Sequence, residues 1–221
     1  MTPQAEQPNE PRVPLSRGRV MRAAIGLADA EGIEALTMRR LAQELGVEAM
    51  TLYYHVANKD DILGGIVDIV VGEFDPPGDG PDWQAAIRRT AISAHDTLVR
   101  HKWAANLLLS GGVREARLRY MDGILGCLRA GGFSAEMTHH AYHALDSHIL
   151  GFTLWQVGMA LEDRSLPDMA KTFLSELSVE DYPHLAEHIE QHIAERPGEK
   201  SEFEFGLDLI LDGLERMRET S

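Results

Sequence analysis

The sequence predicts an all-α fold: a small N-terminal head of three helices joined to a larger helical body. Three observations carry that reading. Apolar residues recur at three- and four-residue spacing along most of the chain, and glycine and proline fall where such segments would end. No stretch shows the apolar/polar alternation of a half-buried strand. The pattern divides the chain into an arm at 1–14, a head at 15–60 and a body at 61–221.

Residues 1–14 hold four prolines and read as a flexible arm. Helix 1 is expected from about Ser16, a suitable N-cap, to Glu31, with Val20, Ala24, Leu27 and Ala28 inward and Arg17, Arg19 and Arg22 outward. Arginines in a first turn oppose the helix dipole unless an anion is bound. A phosphate would supply that anion, and an ordinary solvated basic face fits the charges equally. Thr37 suits the N-cap of helix 2, although Arg40 is not the Glu or Gln of a capping box. Leu41 and Leu45 share one face with the small Ala42, and Gly46 ends the helix in the left-handed conformation. Val47, Leu52 and Val56 carry the apolar pattern into a helix of about two turns, while Met50 and Tyr54 point away and Tyr53 lies on the flank. That one-sidedness suits a helix entering a major groove, and periodicity alone fits a generic αα-hairpin as well. Asn58 caps a fourth helix at 59–74, with Asp60 and Asp61 in its acidic first turn.

DPPGDGP at 75–81 marks a loop. Asp82 caps a helix at 83–100; shorter ones follow at 103–110, before Gly111 and Gly112, and at 113–130, before Gly131 and Gly132. A long apolar helix at 134–161 carries Leu145, Ile149, Phe152, Trp155 and Met159, with Leu150 and Leu154 on another face, a surplus that needs a second partner. A polar stretch at 162–181 precedes a helix at 183–194. Ser201 and Glu204 form a capping box for the last helix, 201–218, with Phe205, Leu209 and Leu214 on its apolar side.

The net charge of −14 looks wrong for a nucleic-acid binder, but it is unevenly placed. Residues 12–59 hold seven Arg or Lys against five carboxylates, so the acid excess belongs to the remainder. No apolar run approaches the ~18 residues of a membrane span. The first fifteen residues lack the apolar core of a signal peptide, and the single Cys127 fits a reducing cytoplasm. No nucleophile elbow, phosphate loop, dinucleotide fingerprint or HExxH zinc motif is present, so neither enzyme activity nor a cofactor is expected. His184, His188 and His192 form an i, i+4, i+8 stripe and His139 and His143 a pair. Three residues over two turns do not reach one ion, and the stripe lies among Glu187, Glu190 and Gln191, an ordinary solvated face; no metal site is assigned.

LAQELGV at 41–47 and TLYYHVANKDDIL at 51–63, preceded by ADAEGIEAL at 28–36, resemble the DNA-binding domain of the TetR family of bacterial transcriptional repressors. FEFGLDLILDGLE at 203–215 is similar to the last helix of the tetracycline-repressor branch. The resemblance implies a cytoplasmic homodimer that binds a palindromic double-stranded DNA operator and is released by a small effector. By matching positions, it places Arg39, Ala49, Met50, Tyr53, His55 and Lys59 at DNA. Thr37, Thr51 and Tyr53 become candidates for phosphate and Arg39 for guanine, with the outward Tyr54 added from its place on the wheel. Ala49 and Met50 stand where that branch has glutamine and proline, which implies a different operator.

The same correspondence puts Asp75, Thr90, Ala94, Leu108 and Gly112 where that branch has its tetracycline and magnesium contacts. Leucine cannot ligate magnesium, so a more apolar organic effector is expected. The candidate pocket residues are Thr90, Ala94, Trp103, Leu108, Met121, His148 and Phe152, although core packing accounts for such aromatic and methionine side chains too. His148 is of a type more often satisfied in a core or interface. Dimerisation is expected through 134–161 and 201–218. The alternative is a helical small-molecule-binding or enzyme domain with a vestigial head.

Overall fold

The computed structural model describes residues 14–78, 80, 82–110, 112, 114–159, 166–194 and 200–220. Residues 1–13 of the expected arm at 1–14, Asp79 and Pro81 of the loop at 75–81, the ends of two expected helices at Val113 and Leu161, and residues 162–165 of the expected polar stretch lie outside them. All regular elements among the described residues are helical. They fall in two units, Met1–Ile66 and Val67–Ser221, with the division inside one helix.

In the first unit, α1 (Arg17–Glu31) begins where Ser16 Oγ accepts the Arg19 N–H. A 3₁₀ turn at Ile33–Ala35 leads to α2 (Met38–Leu45), capped by Thr37 Oγ1 on the Arg40 N–H. Gly46, at φ 66°, takes the left-handed position that ends α2. α3 (Ala49–Leu52) follows after two residues, then α4 (Lys59–Val71), whose Asp61 N–H is capped by Asn58 Oδ1. The apolar stripes of these helices converge: Val20, Ala24, Leu36, Leu41, Leu52, Ile62 and Ile66 are all at or below 1 % exposure. Each such Val, Leu or Ile side chain contributes about 1.5–3 kcal/mol relative to exposure, which is what a unit of this size has to hold it.

In the second unit α5 (Trp83–Arg100) is central and packs on α7 (Glu115–Ala130), α8 (Ala135–Met159) and α11 (Glu202–Thr220). α6 (Ala104–Ser110) packs on α8, and α9 (Leu166–Glu176) pairs with α10 (Pro183–Ile193). The capping box of α11 is closed in both directions, Ser201 Oγ taking the Glu204 N–H and Glu204 Oε2 the Ser201 N–H. Arg88 on α5 reaches Glu204 and Asp208 of α11 at 2.8 and 3.0 Å.

The junction of α5, α8 and α11 is aromatic and polar at once. The His95 and Phe203 rings stack at 4.0 Å, and His148 lies nearly parallel to Phe203 at 5.0 Å. Thr153 donates to the Ile149 carbonyl at 2.6 Å, which leaves its oxygen to accept from His95 Nδ1 at 2.9 Å. That network places the His95 proton on Nδ1. His148 Nε2 donates to the Phe203 carbonyl at 2.9 Å, and Gly206 makes room: a Cβ there would stand 2.6 Å from His148 Cε1.

Three elements differ from expectation. The recognition segment is one α-turn followed by 3₁₀-type bonds, Tyr54 N–H to Thr51 O and His55 N–H to Leu52 O, rather than two α-turns. α4 ends at Val71 and not at Phe74, because Glu73 and Phe74 also tighten into i→i+3 bonds. The stretch expected to be polar contains α9, which packs on α10 and whose buried Ala170 and half-buried Leu174 lie four residues apart on one side.

Two outcomes follow from the α5–α8–α11 junction. Gly206→Ala forces α11 away from His148 and is expected to cost about 1–3 kcal/mol in urea unfolding. Burial lowers the His95 pKa below its usual 6.5, with His148 adding to the effect and Asp96 opposing it. A base depressed in the folded state stabilises fully above the unfolded value and loses that contribution as pH falls through it. Stability is therefore expected to drop as pH falls through the ordinary histidine value of about 6.5, with a smaller drop in His95→Asn.

Candidate nucleic-acid interface and effector region

Leu52 is fully buried, and its neighbours on α3 and in the turn after it face outward: Met50 is 71 % exposed, Tyr54 86 % and Tyr53 48 %. Such exposure of large apolar groups on one short segment is what an unoccupied binding face leaves behind. Ala49, Thr51 and His55 are half-buried beside them. Arg39, exposed on α2, and Lys59, exposed at the start of α4, have no hydrogen-bond or ion-pair partner among the described residues. The neighbouring Arg40 is different: Glu31 binds it at 2.5 Å and Glu44 at 3.2 Å. Of two adjacent arginines, one is held by its own fold and the other has its whole fork available. Thr37 spends its lone pair on the α2 cap and keeps its O–H for an acceptor.

Arg17 corrects the expectation that helix 1 presents it to phosphate. Its anion is intramolecular: both guanidinium Nη atoms meet the Asp61 carboxylate, at 2.7 and 2.8 Å. The hydrogen bond to Asp61 holds the Arg17 pKa above its usual value. The two residues are 44 apart in sequence, so only the acidic first turn of α4 hinted at the pairing.

In the second unit the candidate effector residues do not form one group. Thr90 and Ala94 are fully buried on α5, and the Thr90 hydroxyl has no partner among the described residues. Trp103 and Leu108 are buried at and after the start of α6, with the Trp103 ring 6.1 Å from His101. His148 and Phe152 lie together on α8, 5.8 Å apart, where His148 is already satisfied by Phe203. Met121 stands elsewhere, in a groove of about 390 Å³ between α7 and α8 beside Leu125, Thr138 and Tyr142. The Thr138 hydroxyl there is a second buried group without a partner among the described residues. A buried unsatisfied hydroxyl costs about 1–3 kcal/mol, so each marks a place where a bound polar group would be favoured.

Sequence reading named Thr90 and His148 but missed the other polar groups inside this body. His95 and Thr153 meet across 58 residues, with no local pattern to reveal the contact. Asp146, on α8, is pushed up by burial against the pull of Arg117 and His143. Tyr142 is pushed up to about 12 by burial and by Asp146. Among the described residues no cluster of three His, Cys, Asp or Glu is arranged to hold a metal ion, and the His188 and His192 rings sit 4.9 Å apart on the exposed side of α10. No helix among the described residues is long and apolar enough to cross a membrane.

Residues 20–66 match the profile of bacterial regulatory proteins of the tetR family, and residues 76–218 that of the tetracyclin repressor-like C-terminal domain. The class D tetracycline repressor protein of Escherichia coli is 32 % identical over 207 residues, covering 91 % of this chain and 89 % of that one. The Streptomyces coelicolor TetR family protein ActR, solved in complex with actinorhodin, superposes with a TM-score of 0.74 at 27 % identity, over 93 % of this chain and 99 % of that one. BioQ, solved with its double-stranded DNA operator, superposes at 0.64 and 25 % identity, over 91 % and 98 %. The proteins matched by sequence are transcriptional regulators. With both profiles matched in order, this chain belongs to the TetR family of bacterial regulatory proteins, in the branch whose C-terminal domain is tetracycline-repressor-like.

Proposed function

We propose that the chain is a cytoplasmic, non-enzymatic repressor that binds a palindromic operator as a homodimer and leaves it when a small organic molecule enters the body. The observation that carries the reading is the one-sided α2–α3 surface: Leu52 buried behind it, Met50 and Tyr54 almost bare, and Arg39 without a partner among the described residues. Residues 15–60 read DNA and residues 61–221 bind effector and dimerise. Arg39 reads guanine through its bidentate fork, and Ala49 and Met50 pack against thymine methyl groups. Thr37, Thr51, Tyr53 and Tyr54 position the head on phosphates and bases, with His55 and Lys59 at its edge.

Dimerisation through α8 and α11 is supported by what those helices leave uncovered. Trp155 on α8 is 48 % exposed, and Phe205 and Leu209 on α11 are each 58 % exposed. A second copy presenting the same helices would form a four-helix bundle and remove that surface from water.

The effector is organic and binds without magnesium. Leu108 is buried and has no ligand atom, while Asp75 uses its backbone N–H on Ser93 Oγ. Of the candidates Thr90, Ala94, Trp103, Leu108, Met121, His148 and Phe152, two places suit a ligand best: the orphan hydroxyl of Thr90 beside α5 and the groove at Met121 between α7 and α8. Relatives solved with actinorhodin and, for fold alone, with minocycline bind molecules of their own. Ligand entry shifts α4 and changes the spacing of the paired heads, a two-state change that needs only a difference in ligand affinity between the states.

Fluorescence anisotropy on an operator duplex tests the head. Arg39→Ala is expected to lose about 1–3 kcal/mol of specific binding with the fold intact, whereas Lys59→Ala weakens all sequences alike and flattens the salt dependence by about one unit of slope. Unchanged operator preference in Arg39→Ala would remove its base-reading role. Trp155→Glu places a charge in the proposed bundle and is expected to sediment as monomer with weakened operator binding. A wild-type monomer at micromolar concentration would contradict the architecture.

A further inference from the structure

The connection between α3 and α4 is short, and a single side chain from α1 holds both of its ends. Arg17 donates to both oxygens of Asp61, in the third position of α4, and from Nη1 to the His55 carbonyl at 3.2 Å. His55 in turn closes the last turn after α3, its N–H bonding the Leu52 carbonyl at 2.8 Å. Asp61 also accepts the Ala57 N–H at 3.1 Å. The segment 55–61 is thus closed into a circuit by one guanidinium and one carboxylate.

We infer that Arg17 is a positioning residue for operator reading: through Asp61 and the His55 carbonyl it fixes the end of the recognition helix, and it does so without touching DNA. The inference rests on the proposed DNA-binding reading of the head. The chemistry is specific to arginine, because a planar fork can meet two carboxylate oxygens and a carbonyl together and a lysine ammonium cannot do so in that geometry. As a term in stability the pair counts for little, since Arg17 is about half exposed at 47 % and exposed pairs are screened. Its effect lies in geometry. A recognition surface set on a single α-turn tolerates little displacement before its contacts are lost.

The test measures binding of the full-length protein to an operator duplex and to a scrambled duplex over a salt series, with thermal unfolding alongside. Arg17→Ala and Arg17→Lys are each expected to weaken operator binding about tenfold, the scale of a lost base contact. Affinity for the scrambled duplex and the slope of log K against log salt stay unchanged. The exchange Arg17→Asp with Asp61→Arg restores most of the operator affinity. Equal losses on both duplexes with a shallower slope in Arg17→Ala would make Arg17 a phosphate contact and overturn the inference. So would unchanged operator affinity, or failure of the exchanged pair to rescue. If Arg17→Ala does not fold, Arg17→Lys, which keeps the charge and loses the fork, decides alone. A wild-type protein that prefers no duplex would instead remove the DNA-binding reading itself, a different result from any of these.

Discussion

A helix of one turn has no stability of its own, because nucleation costs more than a single turn returns. α3 is such a helix, so the position of every side chain on it is set by what holds its two ends and its inner face. Gly46 sets the entry, at a φ of 66° that turns the chain sharply out of α2. Leu52, fully buried, fixes the inner face. The exit is fixed by the 3₁₀ bonds at Tyr54 and His55 and by the polar circuit around Asp61. The outward face needs no stabilising role, which is why Met50, Tyr53 and Tyr54 can remain exposed.

The body solves a different problem. Its central helix, α5, is surrounded by apolar faces, yet polar groups are buried there and most of them are satisfied by specific partners: His95 by Thr153, His148 by a backbone carbonyl, Trp83 Nε1 by Glu215. The exceptions, Thr90 and Thr138, are hydroxyls on helices, where the i−4 carbonyl is the usual fallback and is not used. Two open hydroxyls, with the other buried side-chain groups among the described residues partnered, suit a body that accepts an organic molecule carrying a few hydrogen-bonding atoms among apolar surface. At α4, Asp68 accepts the Ala116 N–H at 2.9 Å, at the start of α7. A change at the α7 N-terminus therefore has a direct polar connection to α4.

Much of this was legible in the chain because its signals are local. Ser16, Thr37, Asn58, Asp82 and the Ser201–Glu204 box each mark a helix start within three residues of the group they cap, and each cap is present. Gly46 announces its turn for the same reason. What escaped is long-range or weakly patterned. Arg17 was assigned outward because periodicity gives a face and not a partner, and Asp61 lies 44 residues away. α9 was hidden because its apolar side packs on α10, leaving Phe173 half exposed among polar neighbours so that the stretch averages as polar. The second turn of the recognition helix was over-read, because a 3₁₀ turn keeps the apolar spacing of Leu52 and Val56 while changing the hydrogen bonds. Among the candidate pocket residues Thr90, Ala94 and Leu108 come by position from the family resemblance and Trp103, Met121 and Phe152 by residue type, and neither says which side chain its own core has already taken; His148, of a type often satisfied in a core, is held by Phe203.

The central claim is that two copies of this head read two half-sites of one operator. Footprinting of the purified protein on the DNA upstream of its own coding region measures that directly. The account predicts a protected site with two-fold symmetry, its half-sites centred about one helical turn apart, roughly 10–10.5 base pairs, and protection that weakens steeply with salt. Protection of a single unsymmetrical half-site, or none at low salt, would contradict it.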